Sequence, residues 1–346
     1  MPRAAIKMPI VPLHQLTAGQ QADSFALLTE CHKSTTRDGK PYYACRFSDG
    51  QRTVAYMVWA DGPWFKACEA EWQQGQVYKL RLTYTEHEKY GPQLELQNIR
   101  PANDGDLADG FDPSQFVERS RFDAQAMFQE LLTLTEKEIG HEPLRKLTRG
   151  LLVKWEGPLK ELPASEQRFH PFRGGWLEHT LSVTKTCMLL AEHYLRHYEG
   201  MSALNRDLIL CGAVLHNLGR VKEYRSSGPV TPPLPTVPGR LLGHLILGRD
   251  LVREAALAQG DVPTEILDRL EHLLLTYLTL PEWGSPRLPM LPEVLLLHHA
   301  IDLDAKLEMY LRALQRDTTP GPFTARDPML NKQLLKPGAW EAERVN

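Results

Sequence analysis

Residues 204–218 read Leu-Asn-Arg-Asp-Leu-Ile-Leu-Cys-Gly-Ala-Val-Leu-His-Asn-Leu and run on into Gly219-Arg220. Leu208, Ile209, Cys211, Gly212, Val214 and Leu215 recur at helical spacing and predict a buried helix. Gly219 is expected to stop that helix. Its last turn carries His216 and Asn217, a polar pair at the end of an apolar element. Such a pair either holds a cation or is satisfied by hydrogen bonds inside the core.

Outward from this stretch the pattern stays helical. Segments 122–139, 143–155, 176–198, 239–259, 263–277 and 292–316 carry apolar residues at the same period. The C-terminal part is therefore expected to be all-α. Between these segments, 226–238 contains Pro232-Pro233-Leu234-Pro235 and reads as a stiff surface loop. Residues 317–346 read as a tail, packed in part.

Upstream the period changes. Segments 25–31, 41–47, 51–59, 77–85 and 93–99 alternate or run apolar and predict five strands. Asp38-Gly39 marks a hairpin between the first two, and a short helical piece over 64–72 follows the third. This is the order of an OB-fold barrel, whose strand face and loops bind single strands. The expected organisation is multidomain α and β: an OB-fold nucleic-acid-binding domain over 1–102, a linker over 103–120 with Asp-Gly and Asp-Pro breaks, a helical domain over 121–316, and the tail.

Bulk properties narrow the function. The 346 residues are 42% hydrophobic and 24% charged, with a formal net charge of −3. Nothing draws the whole chain to nucleic acid or to an anionic membrane, so any nucleic-acid site is a local patch. The five cysteines have no Cys-x-x-Cys spacing and read as reduced, packed thiols of a cytoplasmic protein. Residues 1–13 hold three prolines and no continuous apolar run, unlike a signal peptide. The apolar runs 273–280 and 294–297 are too short to span a bilayer.

Candidate single-strand contacts are Arg37, Lys40, Tyr42, Trp59, Lys89 and Tyr90. Bases stack on aromatics and phosphates are met by Lys or Arg, and this set supplies both. The competing reading packs Tyr42 and Trp59 in the barrel core or against the second domain.

The chain resembles the YhaM family of bacterial 3′–5′ exoribonucleases, which join an OB-fold to a helical HD domain. The resemblance rests on Gly39-Lys40-Pro41-Tyr42, Trp59, and the run from Leu94 to Pro101 in the first domain. In the second it rests on Leu177-Glu178-His179-Thr180, Asn205-Arg206-Asp207-Leu208, Leu215-His216-Asn217-Leu218-Gly219 and Gly243-His244. It continues through Glu282-Trp283-Gly284-Ser285-Pro286 and Leu303-Asp304-Ala305-Lys306.

By this resemblance His179, His216 and His244 stand at metal-site histidines. The aspartate of the His-Asp pair is Asn217, which makes His216 and Asn217 the remnant of the catalytic step. A family His-His step falls on Tyr277-Leu278, and a late metal aspartate falls on Ile301. Asp302 and His298 are the nearby residues that would replace the lost ligand. An aspartate bridges cations and helps lower the pKa of bound water, whereas Asn217 is neutral. The resemblance therefore implies a single-stranded RNA- or DNA-binding protein with its hydrolytic site impaired. One divalent cation (manganese, zinc or magnesium) or none is expected, with no membrane contact and self-association as in other HD proteins. The alternatives are an active metal-dependent 3′–5′ exonuclease on a reduced histidine site, and a nucleotide- or protein-binding HD module.

Overall fold

A computed structural model describes residues 8–339 apart from 37, 88–90, 117, 201–203, 226–232 and 318. The chain divides into two compact units, one reaching Glu118 and one beginning at Arg119.

The first unit is built on β1 (Gln21–Thr35), β2 (Pro41–Ser48), β3 (Thr53–Trp59), α1 (Phe65–Ala70), β4 (Val77–His87) and β5 (Gly91–Pro101). The hydrogen-bonded order β1-β2-β3-β5-β4 closes into a barrel through the antiparallel β1–β4 pairing. Ala22, Ala26 and Leu28 alternate along β1, and Leu80, Leu82 and Tyr84 along β4; with Phe47, Val54 and Val58 they fill the interior. β1 runs four residues past its expected end because 32–35 are polar and exposed, so no apolar alternation announces them. They still pair with β2, ending at Thr35↔Pro41. Gly39, at φ 80°, supplies the left-handed turn residue.

The expected linker over 103–120 is a correction. Its first part folds with the barrel as short 3-10 turns at Asp104–Asp109 and Pro113–Phe116. Asp106 is buried and accepts from Arg100 at 2.6 and 2.7 Å and from Lys79 at 3.1 Å. The Arg100 guanidinium holds its carboxyl well below the usual range. Phe111 lies on Phe25, ring centroids 4.8 Å apart. The Asp-Gly breaks are turns inside a packed segment rather than free chain.

The second unit is helical: α2 (Ala124–Glu138), α3 (Glu142–Lys154), α4 (Glu156–Glu161), α5 (Gly175–His197), α6 (Arg206–Leu215), α7 (Arg220–Glu223), α8 (Val237–Gln259), α9 (Thr264–Thr276) and α10 (Pro292–Arg316). Every residue from Leu208 to Leu215 is buried, and α3, α5, α9 and α10 pack around α6. A Cβ on Gly212 would meet a Leu273 methyl at 2.1 Å, so a larger residue there would force the Leu273 side chain of α9 to move. The short α4 and α7 have no counterpart in the sequence reading.

The reading of Gly219 is also corrected. It sits at φ −58°, an ordinary helical value, and begins α7. A Cβ there would lie 1.9 Å from the His244 carbonyl oxygen, so glycine is required by the close approach of α8.

Several motif residues are ties of the scaffold. Asn205 caps α6 by accepting from the Leu208 amide at 3.0 Å. Asp207 accepts from the amides of Gly140 and His141 at 3.0 and 2.7 Å. Gly284, at φ 102°, ends the 3-10 turn Pro281–Trp283, and the buried Ser285 hydroxyl donates to backbone carbonyls of Leu275 and Arg287. Beyond α10, Leu334 and Thr324 are buried and Lys336 pairs with Asp317 at 2.6 Å, so the described part of the tail is packed.

Candidate metal centre

The middle of the helical unit collects histidines from four elements. His179 lies in the first turns of α5, His216 caps α6, His170 stands in the loop before α5, and His244 lies on α8. Gly243, at φ 72° and ψ 165°, breaks α8 into two helices, and His244 opens the second. Asp304 comes in from α10.

Two hydrogen bonds set the tautomers. His179 Nδ1 is 2.6 Å from Asp304 Oδ2, an ionised carboxylate that can only accept. His216 Nδ1 is 2.8 Å from the Ala213 carbonyl oxygen, also an acceptor. Each ring therefore donates through Nδ1 and, while neutral, carries a bare lone pair on Nε2. Those two Nε2 atoms face each other at 3.2 Å. Facing lone pairs repel unless a proton or a cation sits between them. Burial keeps both rings below their ordinary pKa, His216 well below, which disfavours the proton. Two imidazole nitrogens bound about 2.0–2.1 Å from one zinc stand about 3–3.4 Å apart. The pair fits one cation, with the Asp304 carboxylate and the Ala213 carbonyl as outer supports of the kind that orient ligating histidines.

Asp304, named above only as part of a family motif, and His170, not singled out at all, also stand at the centre. Asp304 Oδ2 also takes His170 Nε2 at 3.0 Å, while Oδ1 accepts from the Ser182 hydroxyl. Burial alone would raise this carboxyl, but the bonds from His170, His179 and Ser182 win and hold it well below the usual range. The ligand atoms of His170, His179 and Asp304 lie within 4.8 Å of one another. His170 has φ 41°, an uncommon conformation for a side-chain-bearing residue, and its Nδ1 is buried with no hydrogen-bond partner.

A second polar chain lies on the other side of His216. The Tyr277 hydroxyl is 2.9 Å from His244 Nε2 and donates to Asn217 Oδ1 at 3.4 Å. The Tyr277 ring stands edge-on to His216, centroids 5.4 Å apart. Burial pushes the phenol far above its ordinary pKa, which disfavours the phenolate that a cation would bind. His244 Nδ1 lies 3.6 Å from Glu223, which pairs with Arg220. His244 thus stands between the Tyr277 hydroxyl and the Glu223 carboxylate.

Neither rescue residue enters. Asp302 turns outward and pairs with Lys306 at 2.8 Å. His298 Nδ1 is 2.8 Å from the Tyr277 carbonyl oxygen, and its ring stacks on Trp283. Asp304, one helical step beyond Ile301, is the carboxylate that α10 delivers.

The buried histidines have a measurable consequence. Burial lowers the pKa of His179, His216 and His244 below 6.5 in the folded chain. Below that value the unfolded chain takes up protons that the folded chain refuses. Stability is then expected to fall with pH, at most by about 1.4 kcal/mol per unit for each histidine. Urea midpoints at about pH 7.5 and about pH 5.5 check this; equal midpoints would mean that the rings protonate freely in the fold.

On the barrel, Tyr42 and Trp59 are register partners on β2 and β3, with ring centroids 5.2 Å apart. Trp59 is 49% exposed, so it is not barrel core. Lys40 is exposed at the start of the same hairpin arm. Arg37, Lys89 and Tyr90 lie outside the described residues. No described helix is long and apolar enough to cross a membrane.

Comparison with known proteins agrees with this anatomy. The HD domain family matches residues 176–305, which hold His179, His216, His244 and Asp304 but begin after His170. The 3′–5′ exoribonuclease YhaM of Bacillus velezensis is 31% identical over 329 residues, 94% of this chain and 98% of the relative. The 3′–5′ exoribonuclease YhaM of Bacillus subtilis gives the same identity and coverage. With an N-terminal sheet unit, a helical HD domain and this likeness along nearly its whole length, the chain belongs to the YhaM family.

Proposed function

We propose that this chain is a single-stranded-RNA-binding member of its family whose hydrolytic centre is reduced to one cation position. The observation that carries this reading is the Tyr277 hydroxyl between His244 and Asn217. Where the resemblance expects ligands for a second cation, a neutral phenol, a neutral amide and an apolar Ile301 stand. A two-metal phosphodiester site clamps the attacking and leaving oxygens with charge from both ions. His179 and His216 would hold one cation, which supplies Lewis-acid polarisation of a phosphoryl oxygen. Asn217 adds no negative charge to help form a bound hydroxide.

The test is a time course on 5′-labelled single-stranded RNA with manganese, and a matching DNA. The strand is expected to stay intact with folded protein. Stepwise shortening from the 3′ end, lost with chelator and with His216→Ala, would overturn the reading in favour of an active exonuclease. That second reading draws on the 3.2 Å Nε2 pair, since one open cation position can support hydrolysis.

RNA binding is assigned to the barrel, whose strand order with a helix between β3 and β4 supports an OB-fold. Tyr42 and Trp59 form the stacking platform, with Lys40 beside it for phosphate. Stacking is worth about 1–3 kcal/mol per base. Trp59→Ala is therefore expected to weaken single-stranded RNA binding by about 5- to 150-fold, measured by fluorescence anisotropy. Unchanged affinity would remove Trp59 from the surface.

A further inference from the structure

The cysteines of the barrel come together although nothing in their spacing announces it. Cys31 is on β1, Cys45 on β2 and Cys68 on α1. Cys31 and Cys45 are cross-strand register partners, and α1 lowers Cys68 onto them. The three Sγ atoms form a triangle with sides of 3.7, 3.7 and 3.9 Å. Cys45 and Cys68 are 1% and 2% exposed, whereas Cys31 is half-buried.

We propose that Cys31, Cys45 and Cys68 form a three-thiolate binding site for a thiophilic divalent cation of the zinc type. Three sulfurs each about 2.3 Å from zinc, at tetrahedral angles, stand about 3.8 Å apart. The observed triangle has that edge before any cation is added. Its fourth corner falls to a water or another small ligand, for which the half-buried Cys31 provides the open side. Cys45 and Cys68 belong to the barrel core, against which Tyr43, Tyr56, Phe65 and Trp72 pack, and the candidate ligands in this group are all sulfur. Thiolates select zinc over manganese or magnesium, the ions an oxygen-rich site prefers.

The three sulfurs are already in hydrogen-bond contact. The Cys31 thiol is pushed up to about 11 by burial, and Cys45 is pushed up further by its bond to Cys68. Cys68 is held down by the bond from Cys45. Binding replaces those sulfur-bound protons by the cation and releases them to solvent. The consequence is a pin through β1, β2 and α1, independent of the histidine centre.

The alternative is three packed thiols with no cation. The full-length chain, reduced and freed of metal by chelator, is titrated with cobalt(II) as the probe and then with zinc. A sulfur-to-cobalt charge-transfer band saturating at one equivalent, and displaced by zinc, is expected; the histidine centre is silent in that band. Stoichiometric zinc is also expected to slow labelling of the native thiols by Ellman's reagent about tenfold or more, and to raise Tm. Cys68→Ser and, at the half-buried position, Cys31→Ala should each weaken the band by about a third or more, since each removes one of three sulfurs. A folded wild-type chain with no band and unchanged labelling would overturn the site. So would a band of undiminished intensity in Cys31→Ala, because its thiolates would lie elsewhere. The wild-type titration decides even where a variant does not fold.

Discussion

Asp304→Ala is expected to cost about 3–5 kcal/mol of folding stability, because three donors lose one acceptor at once. His170, His179 and Ser182 all point at this carboxylate. Hydrogen bonds to a charged group are worth about 1.5–3 kcal/mol each, and their loss in a buried place adds the penalty of unsatisfied donors. Asp304→Asn should cost much less, since an amide oxygen still accepts from the histidines and the Ser182 hydroxyl can turn to accept from the amide. The gap between the two variants separates lost hydrogen bonding from lost packing. The pH profile supplies a second signature. The carboxyl is depressed in the fold, so its contribution is present above about pH 4, the unfolded value, and is lost as pH falls through the native one. Wild type and Asp304→Ala should therefore converge in acid. Without the carboxylate, His179 is also free to move its proton to Nε2, toward His216. A loss of cation affinity of about 10- to 100-fold is expected from removing such an outer support. Urea midpoints and a zinc titration check both. A cost below about 1 kcal/mol for Asp304→Ala would mean that the carboxylate does not organise the centre.

Asp304 also shows where the sequence was legible and where it was not. The strands and long helices announced themselves through alternation and helical period, and α10 ends at Arg316, where the expected helix ends. Period says which face a residue is on, but not which of two polar residues on nearby turns reaches the centre. The reading weighed Asp302, two residues before the one that enters. Asp304 stands three residues after Ile301, hence on nearly the same helical face, and that spacing was the available signal. His170 had no such signal. It lies in irregular chain, held by a positive φ that only tertiary structure fixes. The meeting of Cys31 with Cys45 depended on strand register, and the approach of Cys68 on a helix docking against that pair. Segment 103–120 reads as linker because its two glycines and Pro113 mark turns equally well in free and in packed chain. The burial of Asp106 on Arg100 and Lys79 decided between them. Gly219 was rightly singled out, for a reason that lay on another helix, 25 residues away at His244.

If the proposed reading holds, the largest change in activity is expected from installing the ligands that the family resemblance expects. Asn217→Asp, Tyr277→His, Leu278→His and Ile301→Asp together restore the side chains that the family resemblance places at these positions. Asn217, Tyr277 and Ile301 are all buried. Without metal, two new carboxylates there would carry uncompensated charge, so the quadruple variant should be less stable than wild type in chelator. Manganese should return more stability to the variant than to wild type, because only the folded variant holds the second ion. Charge stabilisation by a metal is worth several kcal/mol at a phosphoryl transition state. A gain of about 10²- to 10⁴-fold in manganese-dependent 3′ shortening of single-stranded RNA follows from that range. Tyr277→His alone should gain little, for it frees the space beside Asn217 without adding charge. Asn217→Asp alone should also gain little, because the Tyr277 phenol still stands beside the new carboxylate and donates to it. The gain is therefore expected to be strongly non-additive, as for groups that act as one unit. A quadruple variant that takes up a second manganese and still leaves RNA intact would overturn the proposal that these four positions limit hydrolysis. Attention would then pass to His170, which lies outside the matched HD segment and keeps an unpaired Nδ1 buried beside the centre.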